Sequence, residues 1–115
     1  MEYMLLIYSD PNAFAEMKPA DAQTAMAAYT AFAEAVEKEK VGVHSRRLKP
    51  TSEATTVHVE NDKSKVLNGP YVETKEQLGG YFIINVPDLD AALKWAARCP
   101  GSHHGTVEVR PIWPM

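Results

Sequence analysis

An α+β fold of the split βαβ, ferredoxin-like plan is what this sequence predicts. Three observations carry that reading. Apolar residues follow strand patterning near residues 3–9, 54–60, 80–86 and 106–110. They recur at three- and four-residue steps from Pro19 to about Lys40 and again after Asp88, which is the period of helices. The order is strand, helix, hairpin, strand, helix, strand. With the hairpin's outer arm set aside, this is the split βαβ order.

The first strand, Tyr3 to Ser9, is apolar on both alternating faces. Tyr3, Leu5 and Ile7 line one side; Met4, Leu6 and Tyr8 line the other. A central strand covered on both faces reads this way. Asp10-Pro11-Asn12 breaks it. Pro19 suits the first turn of a helix, with Asp21 near the positive end of its dipole. Met26, Tyr29, Phe32, Ala33 and Val36 form that helix's stripe, and Gly42 is the expected stop. Residues 43–48 read as a weak strand or extended loop ended by Pro50. Val57 and Val59 then alternate with Thr56, His58 and Glu60 in a clear strand. Residues 61–64 read as a turn and Lys65-Val66-Leu67 as the return arm. The second strong strand runs from Gly80 to Val86. Asp88 offers an N-cap to a helix whose apolar face is Leu89, Ala92, Leu93 and Ala96, and Cys99-Pro100-Gly101 ends it. Thr106 to Arg110 is the final strand, with Pro111 and Pro114 limiting further pairing.

Right-handed crossovers place both helices on one face of the antiparallel sheet. The other face is then left bare, lined by Tyr3 or Met4, Ile83 or Ile84, and Val107 or Val109. An apolar sheet face of that size is a liability for a monomer. The simplest cover is a second copy packed with two-fold symmetry, so a homodimer is expected.

The bulk numbers bound the rest. A chain of 115 residues with 45% hydrophobic content reads as one globular domain over residues 1–115. The net charge of -3 argues against nucleic acid, whose binders usually carry a basic face. The basic cluster Arg46-Arg47 with Lys49 reads as a solvated edge. A lone cysteine, Cys99, permits no internal disulfide and suits a reducing compartment. No stretch approaches the ~20 apolar residues of a membrane span, and the short apolar start lacks the features of a signal peptide. A cytoplasmic location, with no membrane partner, is the expectation.

For function, the segment from Asn68 to Tyr81 is the most informative. It sets a Gly69-Pro70 turn, Tyr71, the charges Glu73, Lys75 and Glu76, and a Gly79-Gly80 pair between two apolar runs. Loops that hold function on a rigid scaffold carry this kind of punctuation. The turn can bring backbone N–H groups and Tyr71 against a ligand, or merely shape the entry to the next strand. Glu73 and Glu76 can face a cleft as acceptors with Lys75 as counter-charge, or be plain solvated charge. Arg46 and His44 on the weak strand, His58 on the alternating strand and Arg110 on the last strand complete the ligand-binding candidates. Arg110 can anchor a carboxylate bidentately, or pair with a neighbour such as Glu60 across the sheet.

Cys99, His103 and His104 have three ligand types for zinc but no paired second half, and Gly101-Ser102 reads as an exposed loop, so no metal is expected. No phosphate loop, dinucleotide fingerprint or hydrolase elbow is present in the sequence, so no cofactor is indicated.

The stretch Asn68-Gly69-Pro70-Tyr71 through Gly80-Tyr81 resembles the YciI-related (YCII) family, in the branch named for a DGPF motif. Supporting residues spread over nearly the whole chain. They include Tyr3-Met4-Leu5-Leu6-Ile7-Tyr8, Ala54-Thr55-Thr56-Val57, Glu73-Thr74-Lys75-Glu76, Pro87-Asp88-Leu89-Asp90, Ala96-Ala97-Arg98-Cys99-Pro100 and Gly105-Thr106-Val107-Glu108-Val109-Arg110-Pro111. The resemblance implies a dimeric α+β barrel built from ferredoxin-like units, with no settled activity. It also implies a bacterial context and a link to extracytoplasmic-function sigma factors.

Departures matter. Asn68 stands where the branch carries Asp, and an amide cannot take a proton as a carboxylate can. Tyr71 stands where it carries Phe. The better-known YciI proteins carry a His in the first helix and an Asp before a Pro near the end of the second. Here the first helix has no histidine and Cys99 precedes Pro100, so acid–base chemistry inferred for that pair does not carry over. Two readings stand. One is a small-molecule-binding protein, with catalysis left open. The other is a non-catalytic regulatory or accessory protein associated with a sigma factor.

Overall fold

In the computed structural model, which describes residues 1–115 apart from the side chain of Phe14, four strands form one antiparallel sheet. The elements are β1 (Glu2–Ser9), α1 (Pro11–Ala15), α2 (Pro19–Lys38), β2 (Gly42–Arg47), β3 (Thr55–Glu60), β4 (Lys63–Asn68), β5 (Gln77–Asn85), α3 (Leu89–Arg98), α4 (Gly101–His104) and β6 (Thr106–Pro111). The sheet order is β2-β5-β1-β6, the antiparallel order of a ferredoxin-like α+β fold. No helix among the described residues is long and apolar enough to cross a membrane.

The register sorts the side chains into two faces. Leu5 lies opposite Phe82 and Val109; Tyr3 opposite Ile84; Ile7 opposite Gly80 and Val107. These residues meet the helices. Phe32 and Val36 of α2 and Ala92, Trp95 and Ala96 of α3 close over Leu5 and Ile84, which are fully buried. Burying each such side chain stabilises the fold by ~1.5–3 kcal/mol. Phe32 joins the layers, edge-on to Phe82 at 5.0 Å and to Trp95 at 6.1 Å. Arg98 covers the Trp95 ring at 4.2 Å and reaches Glu39 beyond α2, tying the two helices together.

The other face of the sheet has no helix on it. Met4, Leu6, Tyr8, Tyr81 and Ile83 form its centre and are half-buried. His44 lies beside Tyr81, with ring centroids 5.9 Å apart. Both Val107 and Val109 belong to the helix side, since residues two apart share a face. The expectation that one of them lines the open face is corrected. Glu108 and Arg110 stand there instead.

Several elements differ from the sequence reading. The weak segment 43–48 takes the sheet-edge place as β2, paired to β5. The strongly alternating segment pairs only with its return arm, and β3–β4 is a separate two-stranded ribbon. Alternation signals a strand but not which sheet it joins. The ribbon turns on Asn61 and Asp62 alone, both with positive φ (52° and 61°), so β4 begins at Lys63. Helix α2 ends at Lys38, short of Lys40. Lys40 adopts a left-handed φ of 58°, its N–H bonds the Glu37 carbonyl, and Val41 N–H bonds the Val36 carbonyl. That is a Schellman stop made without glycine. Asp10 does more than break β1: its carboxylate accepts from Asn12 N–H at 2.9 Å where α1 begins. Asp88 caps α3 as expected, accepting from Ala91 N–H at 2.9 Å.

The molecule is flat and open, with extents of 48 × 43 × 18 Å and a radius of gyration of 16.1 Å. A compact chain of this length has about 13 Å. Its accessible surface is 8602 Å², against about 6,200 Å² for a compact monomer of this mass.

Candidate functional site

A cavity of about 510 Å³ lies between α2 and the β1–β5–β2 side of the sheet. Its position follows from the layering. Phe32 and Val36 hold the C-terminal half of α2 on the sheet, while Ala25, Met26, Tyr29 and Ala33 line the gap beside it. Ile7 and Phe82 form the floor, and Pro11, Ala13 and Met17 close the end near α1. Arg47 and Leu48 border it at β2, with Gly101 and His104 at α4. The volume is that of a small-molecule site, and the lining is predominantly apolar.

A β-bulge shapes the floor. Ile7 pairs with Gly80 but Tyr8 pairs with Leu78, leaving Gly79 as the extra residue. The Gly79 carbonyl accepts from Leu48 N–H at 2.9 Å, which draws the chain after β2 across the cavity edge.

At the α4 end the lining is Tyr29, Gly101 and His104, and the fully buried Cys99 lies behind Tyr29. The Tyr29 hydroxyl and the Cys99 thiol are close enough to influence one another, with the Gly101 backbone beside both. Burial, then the neighbouring Cys99, pushes the Tyr29 pKa up to about 12, although Gly101 and the Arg47 charge oppose the shift. Burial also pushes the Cys99 thiol up. Both groups therefore stay protonated at neutral pH and act as neutral hydrogen-bonding groups, not as base or nucleophile. Gly101 permits this junction. A Cβ there would come within 2.7 Å of both Tyr29 Oη and Ile7 Cγ2. The exposed loop expected at Gly101-Ser102 is instead the short helix α4, with Gly101 buried.

Of the residues singled out from the sequence as ligand-binding candidates, Arg46 borders the cavity at β2, and the others lie away from it. Asn68 ends β4, opposite Thr55. Gly69 follows with φ 117°, a conformation L side chains rarely adopt. Its N–H donates to the Ala54 carbonyl and its carbonyl accepts from Thr56. Pro70 is half-buried; Tyr71 is 89% exposed, and Glu73 and Lys75 are exposed. Glu76 accepts from the Thr106 hydroxyl at 2.7 Å, and Thr74 donates to the Glu76 carbonyl. These bonds tie the segment to itself and to β6. Its last residues, Gly79, Gly80 and Tyr81, do border the cavity.

His58 is exposed on the ribbon. Arg46 pairs across from Tyr81 on the open face and donates to the Ser45 carbonyl at 2.7 Å. Arg110 is on the same face at the opposite sheet edge and pairs with Glu108; Glu60 pairs with Lys65. Among the described residues, no three His, Cys, Asp or Glu side chains converge as a metal-binding group.

Sequence reasoning missed Tyr29, Arg47 and Cys99 as a group. Tyr29 sits in an apolar helical stripe and reads as core. Cys99 stands 70 positions further along the chain. The one available signal was the Cys99-Pro100-Gly101 run, where small and rigid residues close a helix against something near.

The family model of the YCII-related domain matches residues 1–115. The chain is also 33% identical to an uncharacterised protein, R00369, of Rhizobium meliloti (strain 1021), over 97% of this chain and 92% of that protein. On these findings the chain belongs to the YCII-related domain family.

Proposed function

We propose that this chain binds a small, largely apolar molecule in the cavity beside α2 and works as a homodimer joined through the open sheet face. The observation that carries the binding reading is the cavity itself: about 510 Å³, lined by Met, Ala, Ile and Phe side chains, with the neutral Tyr29 hydroxyl at one end. Catalysis forms no part of the proposal, because neither Tyr29 nor Cys99 is ionised for chemistry at neutral pH; no cofactor is included either. A thermal-shift screen of small apolar compounds tests it. Ligands should raise the melting temperature of the wild type but not of Ala33→Trp, whose indole would fill the cavity. No hit, or equal shifts in both proteins, contradicts the reading.

The dimer reading rests on surface. The accessible area exceeds that of a compact monomer by about 2,400 Å² per chain, an amount typical of what obligate partners bury. The open face supplies an apolar centre, with Arg46 on one edge strand and Glu108 and Arg110 on the other. Packing two such faces would give the dimeric α+β barrel that the resemblance implies. A cytoplasmic, bacterial setting completes the proposal.

The second reading, an accessory protein for an extracytoplasmic-function sigma factor, draws on the ribbon. Val57, Val59, Val66 and Leu67 are each 58–67% exposed there, and Tyr71 and Trp113 are almost fully exposed. Surface of that kind suits a protein partner. Co-sedimentation with a purified sigma factor of that class, lost on Val57→Lys, would favour this reading over ligand binding.

A further inference from the structure

The ribbon β3–β4 sorts its residues by face. Residues opposite one another in an antiparallel pair share a face, as do alternate residues along each strand. Val57 lies opposite Val66, Val59 opposite Ser64 and Thr55 opposite Asn68, so one face holds the valines and no charge. His58 opposite Lys65, and Glu60 opposite Lys63, put the titratable residues of both strands on the other face, where Lys65 pairs with Glu60. The uncharged face is bare within the chain. Val57, Val59 and Val66 are 60%, 58% and 61% exposed, and the ribbon joins no further strand. A two-stranded hairpin with nothing packed on it is marginal in water. With six residues in each strand the ribbon is about 20 Å long. In the chain it lies between β2 and β5, which are adjacent strands of the main sheet.

We infer that the ribbon is an arm by which each copy grips the other, its Val57–Val59–Val66 face packed on the second copy. This rests on the homodimer proposed above. Two observations choose a second copy over an unlike protein. The first is charge. Two-fold contact brings like surface to like, so a face without charge is the kind that identical chains can share. An unlike partner is selected through complementary charge, and the ribbon's charged side chains stand on the opposite face. The second is area. Four strands about 4.8 Å apart and roughly 25 Å long present about 500 Å² in plan, a fraction of the surplus of about 2,400 Å² per chain. The open sheet face does not account for that surplus alone. A second copy that also covers the ribbon accounts for more of it.

Sedimentation equilibrium over a concentration series tests the arm. Val57→Lys/Val66→Lys should raise the dimer dissociation constant at least about tenfold. His58→Lys, a charge added to the other face of the same strand, should leave it unchanged. A wild-type dimer that the double variant leaves intact, or that His58→Lys weakens as much, overturns the arm and leaves the open-face dimer standing. A wild-type monomer overturns both. Photo-crosslinking reads the same contact if the lysine pair fails to fold. A maleimide-linked benzophenone on Val59→Cys should join two chains, and on His58→Cys it should not; the native Cys99 is fully buried and shielded from the label. Chains left unjoined by the Val59→Cys probe overturn the arm.

Discussion

The two faces of the main sheet are made by the same strands, residue by residue in turn, yet they differ in how they are finished. On one face Tyr3, Leu5, Ile7 and Ile84 are buried under α2 and α3. On the other, Met4, Leu6 and Ile83 are no less apolar but remain half-exposed. The difference lies in what covers them, not in side-chain type. The covered face is closely packed at its centre and leaves a gap beside Tyr29, the cavity. The open face carries no second layer, and we propose that a second copy supplies one.

Truncating each face should expose the contrast most strongly. Leu5→Ala should cost ~2–5 kcal/mol, because the residue is fully buried and its neighbours cannot collapse freely. The loss should be the same at every protein concentration. Leu6→Ala should cost less, and its cost should grow with concentration, since in the proposed dimer that side chain is covered only on assembly. Urea unfolding at two widely spaced concentrations reads both. A concentration-independent Leu6→Ala would break the comparison.

Filling space within the covered face comes next. Gly101→Ala forces a methyl against Ile7 Cγ2 and Tyr29 Oη, each 2.7 Å from where it would stand. Overpacking of that kind costs ~1–3 kcal/mol. The same variant sharpens the site, because pushing Tyr29 aside should also shrink the thermal shift that small apolar ligands give the wild type.

Alkaline pH then probes the Tyr29–Cys99 pair. Their folded pKa values lie above the ordinary 10.0 and 9.0, with Tyr29 at about 12. The unfolded chain therefore releases these protons first as pH rises. The stabilisation is complete below about pH 9 and is lost progressively as pH climbs from there towards 12. Tyr29→Phe should flatten the upper part of that decline in melting temperature. An unchanged slope would show that the pair is more open to water than the geometry indicates.

How much of this could be read beforehand depended on the range of the signal. Local signals worked: the Asp88 cap, the apolar periodicity of β1, and the Phe32–Val36 step of α2 all follow from neighbours a few residues away. Choice of partner did not. Val57 and Val59 gave a stronger strand pattern than Val43-His44-Ser45-Arg46-Arg47, yet the latter joins the sheet. The reason is tertiary: α2 ends in a stop that delivers Gly42 directly to the β5 edge. The segment around Gly69-Pro70 drew the eye as a site because backbone punctuation and charge coincide there. Its bonds to Ala54, Thr56 and Thr106 hold the chain where it passes from the ribbon back to the sheet. The cavity was illegible because Tyr29, Arg47 and Gly101 come from a long helix, an edge strand and a short helix far apart in the chain.

The smallest expected effect is a control. Lys40 holds a left-handed conformation that glycine adopts more easily. Lys40→Gly should stabilise the chain by ~0.5–1 kcal/mol, equally at all concentrations, since it tightens the helix layer and leaves the open face untouched. Thermal unfolding would show it as a uniform upward shift.

Sedimentation equilibrium of the wild-type chain at micromolar concentration tests most directly whether the open face is half of a shared core. The mass should be twice the 12.7 kDa of one chain. A single-chain mass, with Met4, Leu6 and Ile83 left against water, would contradict the account.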